Sequence, residues 1–518
     1  MHKASAILLF LLICSTSSAQ TESEKLAFFE KNIRPVLVKE CYRCHSKDAK
    51  RIRGELTLDT REGIRKGGET GPAVVPGNAR RSLILTALRH TKKDLQMPPS
   101  KKLSAQVIAN FEKWIAMGAL DPRDGKPKIV KKEEIDIEKG RKFWAFQPLK
   151  KYTPPKVSSW AKSDIDRYLL AAMKAKGLSP VKDADPHVLI RRLTFDLIGL
   201  PPTPKEVREF VKAHARDSQD AMKKATDRLL NSPRFGERWG RHWLDVARYG
   251  ESSGRAVNIA YPHAWRYRDY VIASFNADKP YDQFIKEQLA GDLLPSSNAK
   301  DKADQMIATG FLALGPKNHS ERSRRQFQMD LVDEQIDVTF QAFQGLTVAC
   351  ARCHDHKFDP IPQKDYYALA GIFQSSETCY GTIRIIQSNH PSSLITLPKS
   401  ANVKIPLQKL DEEDRLSIHV QMDQLREQSR EVSGENAFIR RIFIQSRIST
   451  LQSRLSLYER DGTPKPLAMG VRERGYASDS PLYVRGELSQ PGERVRRGFP
   501  QVMTRKQPPL RFRRSGRR

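Results

Sequence analysis

Two five-residue strings constrain this chain more than anything else in it: Cys41-Tyr42-Arg43-Cys44-His45 and Cys350-Ala351-Arg352-Cys353-His354. Both read C-x-x-C-H. That spacing lets each thiol add across one vinyl group of a porphyrin while the adjacent imidazole reaches the iron. A zinc site would want a second Cys or His pair nearby, which neither string clearly has. A thioredoxin-like C-x-x-C is expected at a strand-to-helix turn and does not call for the following His. Four of the six cysteines fall in the strings, and only Cys14 and Cys379 are left over, so a disulfide framework is not expected. The reading is two covalently bound haem c groups. Cys41, Cys44, Cys350 and Cys353 are the attachment points, and His45 and His354 bind iron.

Haem iron has a second face. Met97-Pro98-Pro99 lies in a loop after His45 and before a closing helix, and a thioether there would complete His/Met ligation at the first iron. The bland reading of a lone Met is packing. The second string has no comparable Met. His356 is too close to His354 to cross the macrocycle, so a sixth ligand would come from His242, His263, His319 or Met329, or the site would be five-coordinate. Each of these histidines also has an ordinary reading as a hydrogen-bonded structural residue.

The first nineteen residues read as a secretory signal: His2 and Lys3, an apolar run from Ala6 to Ile13, then Ser17-Ser18-Ala19. Ile13 is too bulky for the position before a lipid-modified Cys14. No later stretch approaches the ~20 apolar residues of a membrane span, so no transmembrane span is expected in the mature chain. A formal charge of +30 would suggest nucleic acid in a cytosolic protein. Export removes that partner and leaves an acidic redox protein, an anionic envelope polymer, or simply a solvated surface.

The pattern along the chain predicts a mainly α fold. A helix begins near Ala27, with Phe29, Ile33 and Leu37 on one face and Pro35 marking a break; the first string follows. Ser104 caps a last helix bearing Val107, Ile108, Phe111, Trp114 and Ile115, which closes a helical unit over 24–120. Residues 121–142 have linker composition. Helical patterns dominate a second domain over 143–381, which contains the second string. A helical hairpin is expected over 405–460, broken near Ser433-Gly434, then short strand patterns over 461–504. Residues 505–518, with seven basic residues and no acid, read as a solvated tail. The strand patterns over 481–503 are too few to fold alone.

The longer runs resemble a family of large exported planctomycete cytochromes that join a cytochrome c domain to two uncharacterised domains. In the first domain the resemblance rests on 41–45, 71–77, Met97-Pro98-Pro99 and Trp114-Ile115. The DUF1549 region is matched by 197–203, Arg241-His242-Trp243-Leu244-Asp245, 264–269, 288–294 and 345–360. Family members use the Met of the loop as axial ligand, which the resemblance carries to Met97. A third domain, DUF1553, opens in the family with a pattern similar to Val484-Arg485-Gly486 and Pro491-Gly492-Glu493. The chain departs from it soon afterwards, as a truncation or a shifted frame would produce.

These features point to an exported, periplasmic or cell-surface dihaem cytochrome that transfers electrons to or from a redox partner protein. Two alternatives stand beside it. One is an enzyme oxidising an extracellular substrate, such as carbohydrate, at an open second haem. The other is a cell-surface polymer-binding protein with structural haems.

Overall fold

Thr21 opens the first helix with a capping box: its Oγ1 accepts from Glu24 N, and the Glu24 carboxylate accepts from Thr21 N. In this computed structural model, which describes residues 21–49, 52–92, 94–124, 135–157, 160–255, 257–382 and 388–504, the chain is mainly α. The signal segment, residues 125–134 of the predicted linker and the basic tail lie outside the described residues. Two compact units divide between residues 134 and 135.

In the first unit, residues 22–45 stay helical through Pro35, where a break was expected. Two π turns, Phe29–Ile33 and Leu37–Cys41, flank the short α segment Arg34–Val36. Arg34 N–H reaches back to Phe29 O, and Tyr42 N–H to Leu37 O. These wider turns absorb the ring and missing donor that would disrupt an uninterrupted α ladder. Phe29, Ile33 and Leu37 are fully buried and share a core with Phe111, Trp114 and Ile115 of the helix Ala105–Ala116. Ser104 caps that helix by accepting from Val107 N. Each of these large apolar side chains contributes roughly 1.5–3 kcal/mol by leaving water. The fold of this unit runs past the predicted end at Leu120, because Asp121 and Arg123 are both buried in it.

In the second unit, three helices, Pro186–Ile198, Pro204–Arg216 and Ser218–Leu230, enclose a small core around Ile190 and Phe210. The next helix is Pro233–Val246. Pro233 stands at its first position, where its missing N–H costs nothing, and Ser232 accepts from Arg234 N. Helices Trp265–Asn276, Tyr281–Ala290, Arg324–Gln344 and Gln363–Gln374 contribute to the main core, and Glu412–Glu431 pairs with Ala437–Ser456 as the expected hairpin.

Among the described residues, the strands come in three antiparallel pairs. Ser376–Cys379 pairs with Gly470–Glu473, Ile395–Thr396 with Leu467–Ala468, and Ser480–Tyr483 with Pro491–Val495. The last pair does not stand alone: Tyr483 is buried, with its ring 5.7 Å from that of Tyr367 on the helix Gln363–Gln374. Among the described residues, no helix is long and apolar enough to cross a membrane.

Candidate haem attachment sites

The π turn Leu37–Cys41 and the short helix Tyr42–His45 carry the first string, whose two cysteines are half-buried and not in a disulfide. Burial pushes the Cys41 thiol up to about 12, with Glu40 and Cys44 adding to the effect, so it is a neutral thiol. His45 is 9% exposed, and its Nδ1 lies 3.3 Å from Leu56 O. A carbonyl oxygen can only accept, so Nδ1 carries the proton and Nε2 presents its lone pair, the form in which imidazole binds iron. Burial also holds the His45 pKa below its ordinary value, which favours the neutral ring.

A buried cation fixes this string from behind. Arg123 Nη1 donates to Tyr42 Oη at 2.5 Å and to Leu58 O at 2.6 Å, while Leu58 N donates to His45 O at 2.7 Å. Its Nη2 pairs with Asp121 Oδ2 at 2.5 Å, and its guanidinium lies 5.0 Å from the centre of the Phe29 ring. Arg123 thus ties together Tyr42 within the string, the strand-like segment after it, and the core. Sequence reasoning missed this residue because it fell in a stretch of linker composition.

Met97 sits in the loop after the helix Leu83–Arg89. The loop is held by its backbone: Met97 N donates to Ala87 O at 3.1 Å, and His90 Nε2 donates to Met97 O at 3.3 Å. Met97 is 36% exposed, an apolar side chain partly open to solvent on a tethered loop. Val38, one turn before Cys41, is 52% exposed. The donor set fits a c-type haem: two thiols, an imidazole with a fixed tautomer, and exposed apolar side chains that a porphyrin face could cover.

The second string is built differently. The helix Arg324–Gln344 ends at Gly345 in the left-handed region (φ 64°), and Leu346 N donates back to Phe340 O. A 3-10 turn, Val348–Arg352, follows with Val348 and Ala351 buried as anchors. Cys350, Cys353 and His354 are all exposed, and neither cysteine is in a disulfide. His354 Nδ1 lies 2.6 Å from Asp355 O, so here too the proton is held on Nδ1 and Nε2 presents its lone pair. Arg352 pairs with Asp330 and Asp333, both at 3.2 Å. Asp355 Oδ1 accepts from Gln363 N and caps the following helix, whose own N-cap, Pro362, has no side-chain acceptor.

His356 is a structural residue. Its Nδ1 accepts from Phe358 N and Asp359 N, and Nε2 donates to Thr347 Oγ1 at 3.0 Å, so both ring nitrogens are engaged. The four candidates for a sixth ligand lie in different surroundings. His242 is exposed against Trp239. His263 is buried with Nδ1 unpartnered. His319 is fully buried between Phe327 and Tyr380, with Nδ1 3.4 Å from Ser388 Oγ and Nε2 unpartnered. Met329 is buried, and Gln374 Nε2 donates to its Sδ at 2.9 Å. Among the described residues, no group of three His, Cys, Asp or Glu is arranged to hold a metal ion. A haem iron needs no such group, since the porphyrin supplies four nitrogens.

Comparison with known families meets this geometry at both strings. A family model described as Planctomycete cytochrome C matches residues 41–101, from the first thiol to just past Met97-Pro98-Pro99. A second, described as a protein of unknown function (DUF1549), matches residues 164–378 and spans the second string. The chain belongs to the planctomycete cytochrome c family that carries a DUF1549 region. No curated protein and no solved structure matches it. Membership makes the chain a haem-binding cytochrome, with haem c covalently bound as in the family.

Proposed function

We propose that the chain is an exported electron-transfer cytochrome holding two haems, one at each string. The observation that carries the second haem is shared by both strings: the histidine after each thiol pair has its Nδ1 on a backbone carbonyl, Leu56 O for His45 and Asp355 O for His354. That arrangement fixes the tautomer that ligates iron and is needless for a chance C-x-x-C-H. Haem iron supplies one-electron exchange between its ferric and ferrous states. The residues of the chain do the rest. The thiols would anchor the haems, His45 and His354 would each supply an imidazole to iron, and Met97 would supply a thioether to the first iron, which would raise its potential and keep small molecules out. The first site lies against a packed core, and the second is presented at the surface, where a redox partner protein can approach it. The signal-like residues 1–19 support export to the periplasm or cell surface.

The test is a redox titration followed by absorbance, on full-length protein made with export and haem maturation. Two components are expected, and Cys350→Ser with Cys353→Ser should remove one. A single component unaffected by that double substitution contradicts the proposal. Carbon monoxide binding by the reduced second haem would instead mark an open site suited to substrate oxidation.

A further inference from the structure

The segment 480–503 lies outside both matched regions, yet it is seated on the second string. Gln363 Nε2 donates to Arg352 O at 2.9 Å and to Tyr483 O at 3.1 Å. Tyr367 Oη donates to the same two carbonyls, at 3.0 and 3.3 Å. One amide and one hydroxyl therefore bridge the string to the turn Val484–Gly486. Further along, Asp365 accepts from Gln501 N at 2.8 Å and from Gln501 Nε2 at 2.9 Å, and Lys364 pairs with Glu493 at 2.6 Å.

The turn ends at Gly486, with φ +74°. A Cβ there would stand 2.9 Å from Cys353 Sγ, 3.5 Å from Arg352 Cγ and 3.6 Å from Arg352 O. The first of these is closer than carbon and sulfur can approach, so a side chain at 486 would displace the sulfur or the turn. We infer that Gly486 is a positioning residue for the second haem, and that the C-terminal segment forms a wall of that attachment site by leaving room for the Cys353 sulfur. This rests on the dihaem reading above. On attachment, the Cys353 S–H adds across a vinyl group, sulfur to one carbon and hydrogen to the other, with nothing lost. A sulfur pushed off its place meets that vinyl carbon less well.

The test compares Gly486→Ala with Gly434→Ala in the full-length chain. Gly434 also has a left-handed backbone (φ +92°) but nothing within 4 Å of a built Cβ, so it controls for backbone strain alone. Tyr367→Phe is a second variant that removes the bridging hydroxyl and adds no atom. In matured protein, mass analysis of the haem peptide should show a lower fraction bonded at Cys353 in Gly486→Ala, and the second haem's potential should shift. In chain made without haem, the alkylation rate of Cys353 should change several-fold while that of Cys350 stays the same. Tyr367→Phe should move both readouts in the same direction by less, and Gly434→Ala should move neither. Wild-type behaviour of Cys353 in both Gly486→Ala and Tyr367→Phe overturns the inference. If the wild type carries no haem at the second string, the dihaem reading fails by itself, and the alkylation rates still decide whether Gly486 positions Cys353.

Discussion

Arg123 Nη1 donates to the Tyr42 hydroxyl at 2.5 Å, joining residues 81 positions apart and locking the first string to the end of its unit. The side chains of Arg123 and Asp121 are only 4% and 1% exposed, so each is the other's compensation for lost water. Removing one partner of such a pair costs about 3–5 kcal/mol, because the other charge is left buried alone. Arg123→Met should lower the stability of the full chain's first unit by that order, measured by denaturant unfolding followed at the haem. Arg123→Met combined with Asp121→Leu should cost clearly less. Equal losses in the single and double variants would show that the ion pair is not what holds the string.

Met97→Ala should lower the first haem's reduction potential, since a thioether ligand favours ferrous iron. It should also open that haem to carbon monoxide. An unchanged potential and no carbon monoxide binding would return Met97 to an ordinary exposed loop residue.

His356→Ala should leave the spectrum of the second haem's iron in place while loosening its platform. Two backbone N–H groups and the Thr347 hydroxyl lose their partner, at about 1–3 kcal/mol for each group left buried and unpaired. A change of axial-ligand spectrum without loss of stability would make His356 a ligand instead.

The second unit should be sensitive to acid. His263 and His319 are both pushed down to about 4, in each case first by burial, then by neighbouring positive charge from Arg266 and from Lys317 and His390 respectively. Between pH 4 and about 6.5 the unfolded chain binds protons that these folded rings refuse. Stability therefore falls as pH drops through that window, by on the order of 3 kcal/mol per histidine once below it. His319→Phe, which keeps an aromatic ring beside Phe327 and Tyr380, should flatten the fall in a pH series of urea midpoints. A pH profile identical to wild type would contradict the neutral burial of His319.

What was legible in the sequence was local. The two strings, the helix capped by Ser104 and the hairpin broken near Gly434 each announce themselves within a few residues, through spacing, a capping hydroxyl or a periodicity. The break expected at Pro35 did not occur, because π turns on both sides accommodate the ring and nothing in the residue types signals them. Arg123 and Gly486 were not legible at all. Their partners, Tyr42 and Cys353, are far away in sequence, and only the folded chain brings a guanidinium to one and an absent side chain to the other. The hairpin Ser480–Tyr483 with Pro491–Val495 was recognised as too small to stand alone, but that it leans on the helix Gln363–Gln374 is a contact across more than 100 residues, which the residues of neither element announce.

The most direct test of the account is the number of haems per chain. Full-length protein produced with export and haem maturation, assayed as its pyridine haemochrome against protein concentration from amino-acid analysis, should carry two haems. Loss of Cys350 and Cys353 should leave one, and loss of Cys41 and Cys44 should leave the other. One haem in the wild type, unaffected by replacing Cys350 and Cys353, would contradict the claim that the carbonyl-held His354 marks a second iron.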